Sequence, residues 1–183
     1  MPEPKRLFLL RHAKSSWDDP GLDDHERPLA PRGRRAVKVL GEHLRDNGIH
    51  PVQVLCSSSR RTRETLEGVA PDGETLIESE LYQADAEQLL ERLRRVPEAV
   101  ESVMVIGHNP TLQITALRLS NAGESNSDGS HRAQISQKFP TAALATLSFE
   151  CRWSELAPGC ARLVDYVRPK AIAKRSPSTP APE

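Results

Sequence analysis

Residues 7–10, Leu-Phe-Leu-Leu, are apolar without alternation and stop abruptly at Arg11-His12. A run so short and so uniformly apolar suits a strand buried on both faces, inside a sheet that helices cover on either side. A similar pattern returns at residues 103–106, which end on Gly107-His108-Asn109-Pro110, and at residues 52–55, followed by Cys56 and three serines. Weaker strands are predicted at 75–77, 142–149 and 162–167. Residues 32–45 carry Ala36, Val37, Val39, Leu40 and Leu44 at helical spacing, with Asn47-Gly48 as a stop. Residues 62–69, 86–96 and 111–119 read as further helices. Strands that alternate with helices predict an α/β domain with a largely parallel sheet. Residues 18–31, punctuated by Pro20-Gly21, Pro28 and Pro31, read as a loop, and the polar residues 121–138 as a long surface loop. One domain is expected over residues 1–168, and the Pro-, Ser-, Ala- and Lys-rich residues 169–183 are expected to be a disordered tail.

Lys and Arg number 25 and Asp and Glu number 25, so no global field draws the chain to nucleic acid or to an anionic membrane. An anion site, if present, has to be local. Three cysteines without a CxxC pair fit neither a disulfide framework nor a zinc site and read as reduced thiols. No apolar run approaches the roughly 20 residues of a membrane span, and the first residues offer no signal-peptide core. A cytoplasmic protein is the expectation.

In open α/β sheets, ligands bind beyond the carboxyl ends of the strands. If the three strongest strands are parallel neighbours, Arg11, His12, the Ser57–Arg61 turn and His108 converge on one edge. Arginine offers a rigid fork of donors matched to phosphoryl oxygens, and two of them suit a dianion. A neutral histidine can attack phosphorus, and nearby arginine charge disfavours its imidazolium. A second histidine, if protonated, donates to oxygens as charge builds on them. No acidic cluster stands out that would hold a metal, so neither a metal nor another cofactor is expected.

Leu9-Leu10-Arg11-His12-Ala13-Lys14-Ser15 resembles the Arg-His-Gly signature of the histidine phosphatase superfamily, in the form of its SixA-like phosphohistidine phosphatase branch. Residues 57–65, Ser-Ser-Ser-Arg-Arg-Thr-Arg-Glu-Thr, are similar to a second motif whose register selects Arg61 over Arg60 and Arg63. Gly107-His108-Asn109-Pro110 resembles the branch's second-histidine motif. Further similarity lies in residues 24–29, 80–82 and 138–141, so that the resemblance spans about residues 5 to 168. It implies a three-layer α/β/α sandwich of phosphoglycerate mutase-like fold. It also implies a phosphatase in which His12 accepts the phosphoryl group, Arg11, Arg61 and His108 cradle it, and water then releases inorganic phosphate. Ala13 stands where glycine is usual, as is common in this branch.

The acid that protonates the leaving group is expected among Glu78, Glu80 and Asp85, with Glu80 nearest to the motif position. A site with a poor acid suits the labile P–N bond of phosphohistidine on a protein better than a sugar phosphate, whose alkoxide demands a proton. Lys14, Ser15 and Ser57 are further candidate phosphate donors, and Ser57 could instead cap the following helix. Arg27 reads as a surface ion-pair residue in preference to one lining the pocket mouth, and Trp17 as packing against the core in preference to a substrate platform. The competing readings are a small-molecule phosphomonoesterase or mutase-like transferase, a non-catalytic phospho-ligand module, and a nucleic-acid binder. Neutral charge and 4% aromatic residues disfavour the last.

Overall fold

The computed structural model describes residues 3–121 and 126–175. Within these described residues six strands form one sheet: β1 (Lys5–Arg11), β2 (Gln53–Ser57), β3 (Glu74–Glu78), β4 (Ser102–Gly107), β5 (Leu144–Phe149) and β6 (Arg162–Val167). Their order is β3-β2-β4-β1-β5-β6. The first four run parallel, and β5 is antiparallel to both of its neighbours, β1 and β6, so that β6 runs in the direction of the first four. The three runs that end on reactive residues are therefore adjacent, as the sequence requires if they are to share a site. The register sets Arg11 opposite Gly107, so His12 and His108 leave the sheet side by side.

Among the described residues six α-helices cover it: α1 (Pro31–Asp46), α2 (Arg60–Val69), α3 (Ala86–Arg94), α4 (Thr111–Leu119), α5 (Asn126–Gln137) and α6 (Pro169–Arg175). Side chains alternate across the central strands and feed two cores. Leu7, Leu9, Val103 and Val105 face one layer with Leu89, Leu93, Leu112 and Ile135. Phe8, Leu10, Met104 and Ile106 face the other with Val37, Leu40, Leu44 and Val69. Burial on both faces explains why these strands read as continuous apolar runs, and the result is an α/β/α sandwich. Ala13 is fully buried in the second core, so its methyl costs the pocket nothing.

Two sequence expectations fail. Within residues 121–138, expected as loop, lies α5. Among its described side chains Ile135 alone is buried in the core, and polar links add to it. Arg132 donates to the carbonyls of Leu117 and Ser120, and the Gln113 side chain donates to the Ile135 carbonyl at 2.6 Å. A helix held by one apolar residue leaves no periodic signal. The expected disordered tail begins with α6, whose Ile172 is buried beside α1, while residues 176–183 lie outside the described residues. Among the described residues no helix is long and apolar enough to cross a membrane.

Candidate active site

At the carboxyl ends of β1, β2 and β4 a cavity of about 460 Å³ opens between Arg11, His12, Arg61 and His108. The strand register delivers this convergence: the His12 amide donates to the Gly107 carbonyl at 3.0 Å, and the two imidazole centroids lie 5.4 Å apart. Arg61 comes from the first turn of α2, which the Ser59 hydroxyl caps by accepting from the Thr62 amide. Thr65, one turn on, accepts from the Ala13 amide at 3.0 Å and donates to the Arg61 carbonyl at 2.6 Å. The helix that carries Arg61 is thereby fastened to the residue after His12.

His12 is 8% exposed. Its Nδ1 lies 2.8 Å from the Ala13 carbonyl, which can only accept, so Nδ1 carries the proton and Nε2 keeps its lone pair. Burial pushes the ring pKa down to about 3; the Ala13 bond opposes this, and the charges of His108, Arg61 and Arg11 add to it. Burial and then Arg61 push His108 down to about 4, against the pull of Asp24. Both rings are therefore neutral at pH 7. The sequence reading made His108 a donor if protonated, and a proton there has to arrive with an anion.

The wall is short of negative charge. Arg11, Lys14, Arg27 and Arg61 line it against the single carboxylate of Asp24. Arg11 donates to the Phe139 carbonyl at 2.9 Å, while its buried Nε meets no acceptor. Burial and then the charge of Arg61 push its guanidinium below the ordinary arginine value. Arg61 donates to the Asp24 carbonyl at 2.7 Å and to its carboxylate at 3.0 Å. Arg27 donates to the same carboxylate at 2.9 Å and the Tyr82 hydroxyl donates to it at 2.5 Å. The Tyr82 bond first, then those of Arg27 and Arg61, hold the Asp24 carboxyl well below the usual range. Asp24 is thus an ionised tether and a poor proton donor.

The remaining expectations divide. Glu80 is exposed on the 3₁₀ turn Ser79–Tyr82 and lines clefts with Glu78 and Arg92, away from the cavity. Glu78 is bound by Arg92 at 2.6 Å, and Asp85 caps α3. The turn sends the Tyr82 side chain to the site and its glutamate elsewhere, so the expectation for Glu80 is corrected. Ser57 neither caps α2 nor opens to the cavity; its fully buried hydroxyl lies 2.7 Å from His108 Nε2 and positions that ring. Ser15 lines the cavity and accepts from Arg27 at 2.6 Å, and Lys14 is exposed at the rim. Arg27, expected at the surface, is 7% exposed and belongs to the wall. Trp17, expected to pack inward, is 70% exposed at the mouth, where the Arg27 guanidinium carbon sits 3.2 Å from its ring centroid. Asp24 and Arg27 escaped the motif-free reading because they lie in an aperiodic loop; the similarity over residues 24–29 was the signal for them.

Neutral buried rings have a consequence for stability. The unfolded chain protonates its histidines near 6.5, whereas these two rings hold out to about 3 and about 4. Between those values the unfolded state binds more protons, so their stabilisation is full above about pH 6.5 and is lost as pH falls through the window. In phosphate-free buffer, the melting temperature of the wild type is expected to fall more steeply from about pH 7 to about pH 4.5 than that of the His12→Gln/His108→Gln double variant. Equal slopes would show that the two rings titrate normally.

A family model described as histidine phosphatase superfamily (branch 1) matches residues 7–85. An uncharacterized protein of Mycobacterium tuberculosis is 38% identical over 161 residues, covering 88% of this chain and all of the relative. A solved structure from Nakamurella multipartitia, proposed as a phosphohistidine phosphatase SixA, superposes with a TM-score of 0.81 at 28% identity over 92% of this chain and 98% of its own. One from Agrobacterium tumefaciens with the same proposed identity gives 0.73 at 29% identity over 91% and 99%.

Proposed function

This chain belongs to the histidine phosphatase superfamily, in its SixA-like branch, and from that premise we propose that it is a phosphatase that removes the phosphoryl group from phosphohistidine on a protein by way of a phosphoenzyme at His12. The observation that carries the reading is a neutral His12 with Nε2 free, facing a cation-rich cavity in which Asp24, the one carboxylate among the described lining residues, is locked as an anion. Arg11 and Arg61 take up the equatorial oxygens of the incoming group, which displaces part of the Asp24 contact. His12 Nε2 attacks phosphorus as the P–N bond of the substrate breaks. The substrate imidazole, already protonated on its other nitrogen, leaves as a neutral ring. His12 keeps its Nδ1 proton on the Ala13 carbonyl throughout. Water then attacks phosphorus, the bond to Nε2 breaks, and both hydrogens of the water leave with the phosphate. His108, held by Ser57, gains its proton as the dianion enters and donates to the charge that develops.

The substrate choice rests on the missing acid. An alkoxide leaving group needs a proton at the moment of cleavage, and apart from the His108 proton, which is committed to the phosphoryl oxygens, the described cavity wall offers an ionised Asp24 and a Tyr82 that already donates to it. Phosphate release from a phosphohistidine protein is expected to exceed release from a panel of sugar and amino-acid phosphate monoesters by at least about 10²-fold in kcat/KM, the range that general-acid catalysis commonly supplies. Turnover of a monoester as fast as that of phosphohistidine would move the function to a small-molecule phosphatase. Tight phosphate binding without any release would favour a binding module.

A further inference from the structure

Beside the catalytic cavity, and sharing Lys14 and Thr141 with it, runs a second cavity of about 400 Å³ along α6 and the start of α1. Its walls carry Lys14, Arg32, Lys138, Arg168, Lys170 and Lys174 and, among the described residues, no acidic one. All six are exposed, and none forms an ion pair with a carboxylate of the described residues. In a chain whose charges cancel, this concentration is local. Arg32 stands in the first turn of α1, where no acidic residue is present and where the helix dipole disfavours a cation. A cation placed against its own helix, in a group that meets no carboxylate among the described residues, suggests a requirement other than stability.

The chemistry of the walls selects the occupant. A second phosphate on a small substrate is a point anion, best held by buried, hydrogen-bonded guanidinium groups such as Arg61 already provides. Here four of the six cations are lysines, with mobile stems and hydrated heads, and they stand around a floor of Ala36, Pro140, Pro169 and Ala171. Dispersed mobile charge beside small apolar contacts suits an extended acidic surface, which it steers and aligns more than it coordinates. The opposite flank differs: Glu78, Glu80, Glu87 and Glu91 line the cleft between the Ser79–Tyr82 turn and α3. We propose that the basic groove docks the acidic protein segment that flanks the phosphohistidine, an inference that rests on the protein substrate argued above.

The test uses peptides of equal length with a central phosphohistidine flanked by Glu, Gln or Lys, together with free phosphohistidine. The enzymes are the wild type and the triple variant Arg32→Glu/Arg168→Glu/Lys170→Glu. At low ionic strength the wild type is expected to favour the Glu-flanked over the Gln-flanked peptide by about tenfold in kcat/KM, the lower end of electrostatic steering. The preference should shrink toward unity at about 0.5 M salt, where screening is short-ranged. In the triple variant it should vanish or invert, with turnover of free phosphohistidine unchanged. Equal wild-type turnover of the three peptides overturns the docking surface, as does a preference that survives charge reversal; the salt arm needs no variant to fold. A wild-type preference for bisphosphate over monophosphate esters, lost in the triple variant, would give the groove to a second phosphate instead. If the wild type hydrolyses monoesters and no phosphohistidine peptide, the protein-substrate reading has failed and takes the docking with it. Hydrolysis of all peptides alike removes the docking alone.

Discussion

Alanine in place of His12 is expected to lower phosphate release by about 10⁴-fold or more, the scale on which loss of a nucleophile registers in enzymes whose catalytic groups act as a unit. That is about 5 kcal/mol of barrier. Nothing nearby can take over. The other imidazole is 5.4 Å away, centroid to centroid, and its Nε2 is engaged with Ser57. Affinity for inorganic phosphate should change little, because Arg11 and Arg61 remain to bind it. Rapid acid-free quenching of the wild type with a radiolabelled phosphohistidine substrate should trap label on the protein, and the His12→Ala variant should trap none. A labelled intermediate that persists in the variant would assign the nucleophile to another residue.

Arg61→Ala is expected to cost about 10²–10³-fold in kcat/KM, the magnitude seen when one stabilising donor is removed from a transition state. Unlike the loss of His12, this change should also weaken inorganic phosphate as an inhibitor. The contrast separates a residue that reacts from one that binds. Arg61→Lys should recover little. Arg61 is 7% exposed and already spends separate nitrogens on the Asp24 carbonyl and carboxylate. A lysine ammonium is a point charge without the planar fork that can pass from this pair of oxygens to those of a phosphoryl group. Recovery of wild-type kcat/KM by lysine would show that only the charge matters there.

How much of this was legible in the sequence follows from where each residue sits. Arg11, His12 and His108 are visible because a doubly buried strand announces itself as an apolar run, and its first polar residue marks the edge of the sheet. Arg61 needed the register of a motif, since Arg60 and Arg63 flank it in a helix of the same composition; only Arg61 turns inward. Glu80 misled because proximity along the chain is a poor guide on a 3₁₀ turn, where Tyr82 two residues on reaches Asp24 while Glu80 faces away. Asp24, Arg27 and Trp17 meet at the mouth through a loop whose path no periodicity encodes. The helices α5 and α6 were hidden for a related reason: one buried isoleucine each, Ile135 and Ile172, is too little for a pattern.

The start of α1 lies closer to the chemistry than its place in the sequence suggests. The Ala30 amide donates to the Lys14 carbonyl at 2.8 Å, and a methyl built on Gly33 would stand 2.2 Å from that same oxygen. Backbone cannot yield there without moving the turn that follows His12. Gly33 therefore constrains the nucleophile as an active-site residue would, although it does not line the cavity. A survey of tolerated substitutions should find it as intolerant as the groups that react, and a redesign that keeps the whole pocket but helps itself to a better helix former at this position would inherit a displaced nucleophile.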